Sequence, residues 1–104
     1  MNLDLLKKEF LPRYLAVGEQ EFYKFLLVFA MTRLVAIEKG DYKGSTPDLE
    51  FLQYYEGFII LYRREGDENY INAARLFRKA AHKINRLMLK KNMTVKSPKF
   101  LTLV

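Results

Sequence analysis

Apolar residues recur every three or four positions through most of this 104-residue chain, and nowhere convincingly at every second one. That is the period of an α-helix rather than of a half-buried strand. No Asn-Gly or Asp-Gly hairpin turn appears either. The chain is therefore expected to be all-α.

The breaks in the pattern carry the residues that start and stop helices. Asn2 is a cap for a short first helix from about Leu3 to Leu11, after which Pro12 and Gly18 interrupt. A longer segment, Glu19 to Lys39, opens with Glu19 and Glu21, whose charge suits the positive end of a helix dipole. It closes at Gly40, the residue that best tolerates the left-handed conformation after a helix. A third helix opens at Ser45-Thr46-Pro47-Asp48, with a capping hydroxyl, a proline suited to the first turn and an acid three residues after Ser45. It runs to about Arg64 and stops before Gly66. Asp67 or Asn69 caps a fourth helix that continues to about Lys91, with Asn92 as its stop. The expected architecture is a small up-and-down helical bundle: three long helices plus a short N-terminal helix. It forms one domain over residues 1–92, followed by a C-terminal tail, 93–104, packed on the bundle or flexible.

Two helices stand apart within this plan. In 19–39, apolar residues from Phe22 to Ile37 surround the cylinder, and only Lys24, Thr32 and Arg33 break the run. A helix apolar on all sides is the central element of a bundle or is covered on one side by a partner. The central position is expected here. The third helix sets Phe51, Tyr55, Phe58, Ile59 and Tyr62 on one broad face, with Gly57 mid-helix on the polar side as a marker of close backbone approach.

Charge is distributed unevenly. Residues 1–68 hold nine Lys or Arg against all twelve acids, a net −3, while residues 69–104 hold the other nine cations and no acid, a net +9. In the fourth helix Ala73, Leu76, Phe77, Ala80, Ile84, Leu87 and Met88 fill one side, and Arg75, Arg78, Lys79, His82, Lys83, Arg86 and Lys90 fill the other. A merely solvated face usually mixes signs, because interspersed acids relieve repulsion at helical spacing. A cationic stripe without acids points to an anionic partner.

An acidic protein surface or a second copy of the chain is the leading partner. Nucleic acid is the alternative, held non-specifically through phosphates. The stripe interleaves no aromatic residue for stacking, and Asp67 and Glu68 would repel phosphate at the helix start. A peripheral anionic membrane is a weaker fit, because Phe77, Ile84 and Leu87 are needed in the core.

Catalytic and metal chemistry find little material. With no Cys and one His, a zinc ligand set is missing, and Arg78, Lys79 and Arg86 around His82 lower its pKa. The acid pairs Glu19/Glu21, Asp48/Glu50 and Asp67/Glu68 sit at helix starts, where capping and the dipole account for them. Lys43-Gly44-Ser45 reverses the order of a phosphate loop and follows a helix. No Gly-x-Ser-x-Gly element is present. No enzyme, cofactor or metal is expected.

Tyr70, Ala73, Phe77 and Ala80 stand at the spacing of the second helix of a tetratricopeptide hairpin, which Tyr55, Phe58 and Tyr62 resemble in the first. Ile59 occupies the place of the family's usual small residue, the turn is two residues too long, and no second copy follows. The resemblance implies an antiparallel pair of helices and no family membership.

The tail adds two short signals. Thr102-Leu103-Val104 resembles the C-terminal motif bound by PDZ domains, and Ser97-Pro98-Lys99 resembles a proline-directed kinase site beside Lys96. The start, Met-Asn-Leu-Asp-Leu-Leu, lacks the basic region of a secretory signal, and no uninterrupted apolar run is long enough to span a bilayer. An intracellular location, cytoplasmic or nuclear, is expected. A non-enzymatic interaction or adaptor module follows as the functional expectation.

Overall fold

The computed structural model describes residues 1–91. Among them three α-helices form a small compact bundle without any sheet: α1 (Leu3–Glu38), α2 (Pro47–Glu65) and α3 (Glu68–Lys90). The side-chain oxygen of Asn2 accepts from the amides of Asp4 and Leu5, at 3.0 and 3.1 Å, and so starts α1. Asp67 starts α3 by accepting from the Asn69 amide at 2.9 Å. α2 departs from expectation: its N-cap is Thr46, not Ser45, and Thr46 makes no side-chain capping bond. Pro47 in the first turn, whose missing N–H costs nothing there, carries that start instead.

The short N-terminal helix expected to end at Leu11 does not end there. The chain stays helical through Pro12 and breaks only at Gly18, where φ is 83° and ψ is 176°. Pro12 lies on the solvent side, so water replaces the backbone donor that its ring removes. The Gly18 conformation is accessible essentially to glycine alone. It divides α1 into two arms, 3–17 and 19–38. On a straight helix Phe10 and Phe22 would lie about 18 Å apart along the axis. Here their ring centroids are 6.5 Å apart, and the Arg13 guanidinium lies 4.2 Å over the Phe25 ring. The bend thus folds one arm toward the other.

Contacts between helix ends set the order of the bundle. Lys7 meets Glu65 at 3.1 Å, Arg33 meets Glu50 at 2.7 Å and Lys91 meets Glu38 at 3.4 Å. The start of α1 therefore lies beside the end of α2, and the end of α1 lies beside the start of α2 and the end of α3.

The core converges on one ring. Phe77 has the rings of Phe10, Phe22, Phe51, Tyr54 and Phe58 around it at centroid distances of 5.0 to 5.8 Å. Buried Ala73, Ala74, Ala80 and Ala81 let α1 and α2 approach α3 from both flanks. The central helix is consequently α3, which corrects the expectation that 19–39 would be central. The second arm of α1 buries a single row, Phe22, Leu26, Ala30 and Leu34, while Val28 on its far side is 65% exposed. Its uniform hydrophobicity reflects a peripheral helix with surplus apolar surface. Gly57 also differs from expectation: it is buried, and what approaches it is side chain, not backbone. A Cβ there would fall 2.5 Å from Leu6 Cδ2 and 3.0 Å from Met1 Sδ.

Candidate interaction surface

The inward arc of α3 determines what its outer face offers. With Tyr70, Ala73, Phe77, Ala80, Ile84 and Met88 turned into the core, the helical period sends Arg75, Arg78, Lys79, Lys83, Arg86 and Lys90 to solvent. All six are exposed, and His82 among them is half-buried. The structure thus brings the sequence-derived stripe together on one face. Burial, followed by the Arg78 and Arg86 charges, holds the His82 imidazole below its usual pKa.

Neighbouring helices change the character of this face. The Lys79 ammonium lies 4.5 Å over the ring of Tyr23 from α1, and the Arg78 guanidinium lies 5.9 Å from the ring of Tyr55 on α2. Aromatic rings therefore border the cations on both sides. The absence of interleaved aromatics read from α3 alone holds for that helix and fails for the assembled surface. The Lys–Tyr and Arg–Tyr pairs gain from the ring quadrupole and fix the direction of two long side chains.

Beside the stripe, two depressions lie along α2. One cavity of about 310 Å³ is lined by Leu52, Tyr55, Glu56, Arg78 and His82. A second of about 350 Å³ is lined by Tyr55, Glu56, Ile59, Ile60 and Arg63. They share Tyr55 and Glu56; the first also takes Arg78 and His82 from α3, and the second is lined by α2 alone.

A polar cluster at the opposite flank was hidden in the sequence. Arg33 Nη1 donates to Glu50 Oε2 at 2.7 Å and to the Tyr42 hydroxyl at 2.8 Å, and the Tyr54 hydroxyl donates to Glu50 Oε1 at 2.5 Å. The guanidinium also sits 4.5 Å over the Tyr42 ring. Burial, then the bond to Glu50, pushes the Tyr54 phenol well above its usual pKa. Arg33 looks in the sequence like an interruption of an apolar run, and nothing local marks partners so far along the chain. The cluster ties the loop after α1 to both helices. Its charges balance within it.

Two further acids are likewise engaged in structure. Asp48 lies in the first turn of α2, as expected of a dipole partner, but it is fully buried and accepts from Asn85 Nδ2 at 3.1 Å. Glu65 accepts from Lys7 and from the Tyr70 hydroxyl at 3.1 and 2.9 Å. The Lys7 bond, then those of Tyr70 and Arg64, hold its carboxyl below the usual value. Among the described residues no group of three His, Cys, Asp or Glu side chains could hold a metal ion. None of their helices is long and apolar enough to cross a membrane.

Thr102-Leu103-Val104, Ser97-Pro98-Lys99 and Lys96 lie outside the described residues. The tetratricopeptide-like positions Tyr70, Ala73, Phe77 and Ala80 are all buried. Compared with family models, with curated proteins and with solved structures, the chain matches none.

Proposed function

We propose that this up-and-down bundle is a non-enzymatic interaction module, and that the outer face of α3, about residues 69–91, engages an acidic protein surface. One observation carries this: the helix at the centre of the core sends six exposed cations outward and places no acid among them. A face rich in charge of one sign favours a partner of the other sign and speeds encounter with it. A second copy of the chain fits this face less well, because a two-fold contact would set like charges against each other. The apolar surface around Val28 serves a second copy better. An intracellular site of action, cytoplasmic or nuclear, accompanies this function.

Nucleic acid is the second reading, and the half-buried rings of Tyr23 and Tyr55 beside the cations favour it, since bases stack on aromatic side chains. Lys79 and Arg78 already lie over those rings, which lessens the room for a base.

Anisotropy of labelled polyglutamate, RNA and DNA at about 50 and 200 mM salt separates the two. Binding of polyglutamate that is lost in Lys83→Glu with Arg86→Glu, at an unchanged melting temperature, supports an acidic partner. Tighter binding of RNA or DNA with a steep salt slope favours nucleic acid. Polyglutamate binding that survives the double reversal makes the stripe a solvated face.

A further inference from the structure

We infer that the outer stripe of the second arm of α1 is the contact through which two copies of this chain pair, antiparallel and about a two-fold axis. This surface is separate from the cationic face of α3 and does not depend on the acidic-partner function.

Helical geometry assembles the stripe. At about 100° per residue, Glu21, Phe25, Val28, Thr32, Val35 and Lys39 fall within about 40° of one line down the helix. The buried row Phe22, Leu26, Ala30 and Leu34 lies on the opposite side. Lys39 is the C-cap, and its φ of −80° and ψ of −6° keep it on that line. Val28 is 65% exposed and Val35 42%, while Phe25 is half-buried beneath the Arg13 guanidinium. The Thr32 hydroxyl donates to the Val28 carbonyl at 3.0 Å, so the middle of the stripe carries no hydroxyl in need of a partner. Val28 and Phe25 also border two depressions, of about 330 and 360 Å³. A ridge with hollows beside it on one face is a shape that a second copy can match.

The order of residues names the occupant. The stripe begins on an acid, Glu21, ends on a base, Lys39, and is mostly apolar between them. Laid antiparallel on itself about residue 30, it sets Glu21 of each copy against Lys39 of the other. Phe25 then meets Val35 and Val28 meets Thr32, because the members of each pair stand equally far from residue 30. A parallel pairing would oppose acid to acid and base to base. A partner charged in one sign throughout would be repelled at one end. Charge complementarity therefore selects a second, antiparallel copy. Glu21 also meets Lys24 of its own helix at 3.3 Å, an exposed pair of small worth that leaves it able to turn to a partner. From Glu21 to Lys39 the stripe is about 27 Å long. One helix pair of that length buries less than a standard interface, so the pairing is weak and reversible.

Sedimentation equilibrium of the full chain from about 1 µM to 1 mM tests this, and we expect a monomer–dimer equilibrium within that range. Val28→Lys should weaken the dimer by about tenfold or more, since a two-fold contact feels each substitution twice. The residue is mostly exposed, so the melting temperature of the dilute monomer should hold. Glu21→Lys alone and Lys39→Glu alone should each weaken self-pairing by about tenfold, because each opposes like charges at both ends. An equimolar mixture of these two variants should recover the parent's affinity, since the mixed dimer restores both opposite-charge pairs. Net charge alone would place the mixture between the two single variants.

A monomer at every concentration overturns the proposal. Relaxation of the Val28 methyl signals by a soluble spin label then reads what holds the face, and shielded methyls would assign it to residues 92–104 of the same chain. A dimer that withstands Val28→Lys, or mixed variants that pair no better than the single ones, places the contact elsewhere and equally overturns it.

Discussion

The second arm of α1 and helix α3 exchange the roles their compositions suggest. Residues 19–38 are apolar around most of the cylinder and bury one row against the bundle. α3 carries cations along one whole side and yet supplies the ring on which the core converges. Average hydrophobicity does not decide which helix sits in the middle. Small residues do: the alanines of α3 allow two neighbours to close in, whereas the large side chains of 19–38 hold a second neighbour away. Burial is a property of the arc that two flanks can cover, and α3 needs only half its circumference for it.

Substitutions along both helices can break this contrast. Phe77→Ala should cost about 3–5 kcal/mol, because it removes a fully buried ring from five aromatic neighbours. Val28→Ala should change stability by less than about 0.5 kcal/mol. Urea midpoints of the two variants give the comparison, and similar losses would return 19–38 to the centre. Ala80→Leu should cost about 1–3 kcal/mol through overpacking at a fully buried position of α3. Chemical denaturation that shows no loss would mean the alanines are not what brings the helices together.

Gly18→Ala tests the bend that keeps the second arm at the periphery. No atom lies within 4 Å of the Cβ it would add, so any cost is that of the backbone conformation. About 1–3 kcal/mol is expected. A melting temperature equal to that of the parent would show that the chain can turn there without glycine.

The smallest expected effect is one of pH. His82 has its pKa lowered by burial and by Arg78 and Arg86, so the folded chain binds this proton less readily than the unfolded one. Its contribution to stability is complete above the unfolded value of about 6.5 and is lost as pH falls through the lower folded value. The urea midpoint of the parent should decline between about pH 7.5 and 5.5 more than that of His82→Gln. Parallel declines would remove His82 as the cause.

Much of this architecture was legible from punctuation and period. Asn2, Asp67, Gly40 and Gly66 bound the helices because caps and left-handed residues act locally, within a turn of where they stand. The cationic stripe was legible for the same reason, since α3's inward residues repeat in register over its whole length. The break at Pro12 misled because an exposed proline can be tolerated inside a helix. The centrality of α3, the Arg33–Glu50 pair, Gly57 against Leu6 and the tyrosines bordering the stripe were not legible. Each depends on which helices meet, and no local pattern encodes that.

The hydrogen bond between Asn85 and Asp48 has a consequence for alignment. Phe77, Ile84 and Met88 are buried between the alanines, so a slip of α3 by one turn would already take Phe77 from its ring neighbours. Such a slip would set Ala81 or Leu89 opposite Asp48, leaving a buried carboxyl without its amide at a cost of about 1–3 kcal/mol. The rings resist the shift by shape and the polar pair resists it by chemistry, so both work as keys cut for one register.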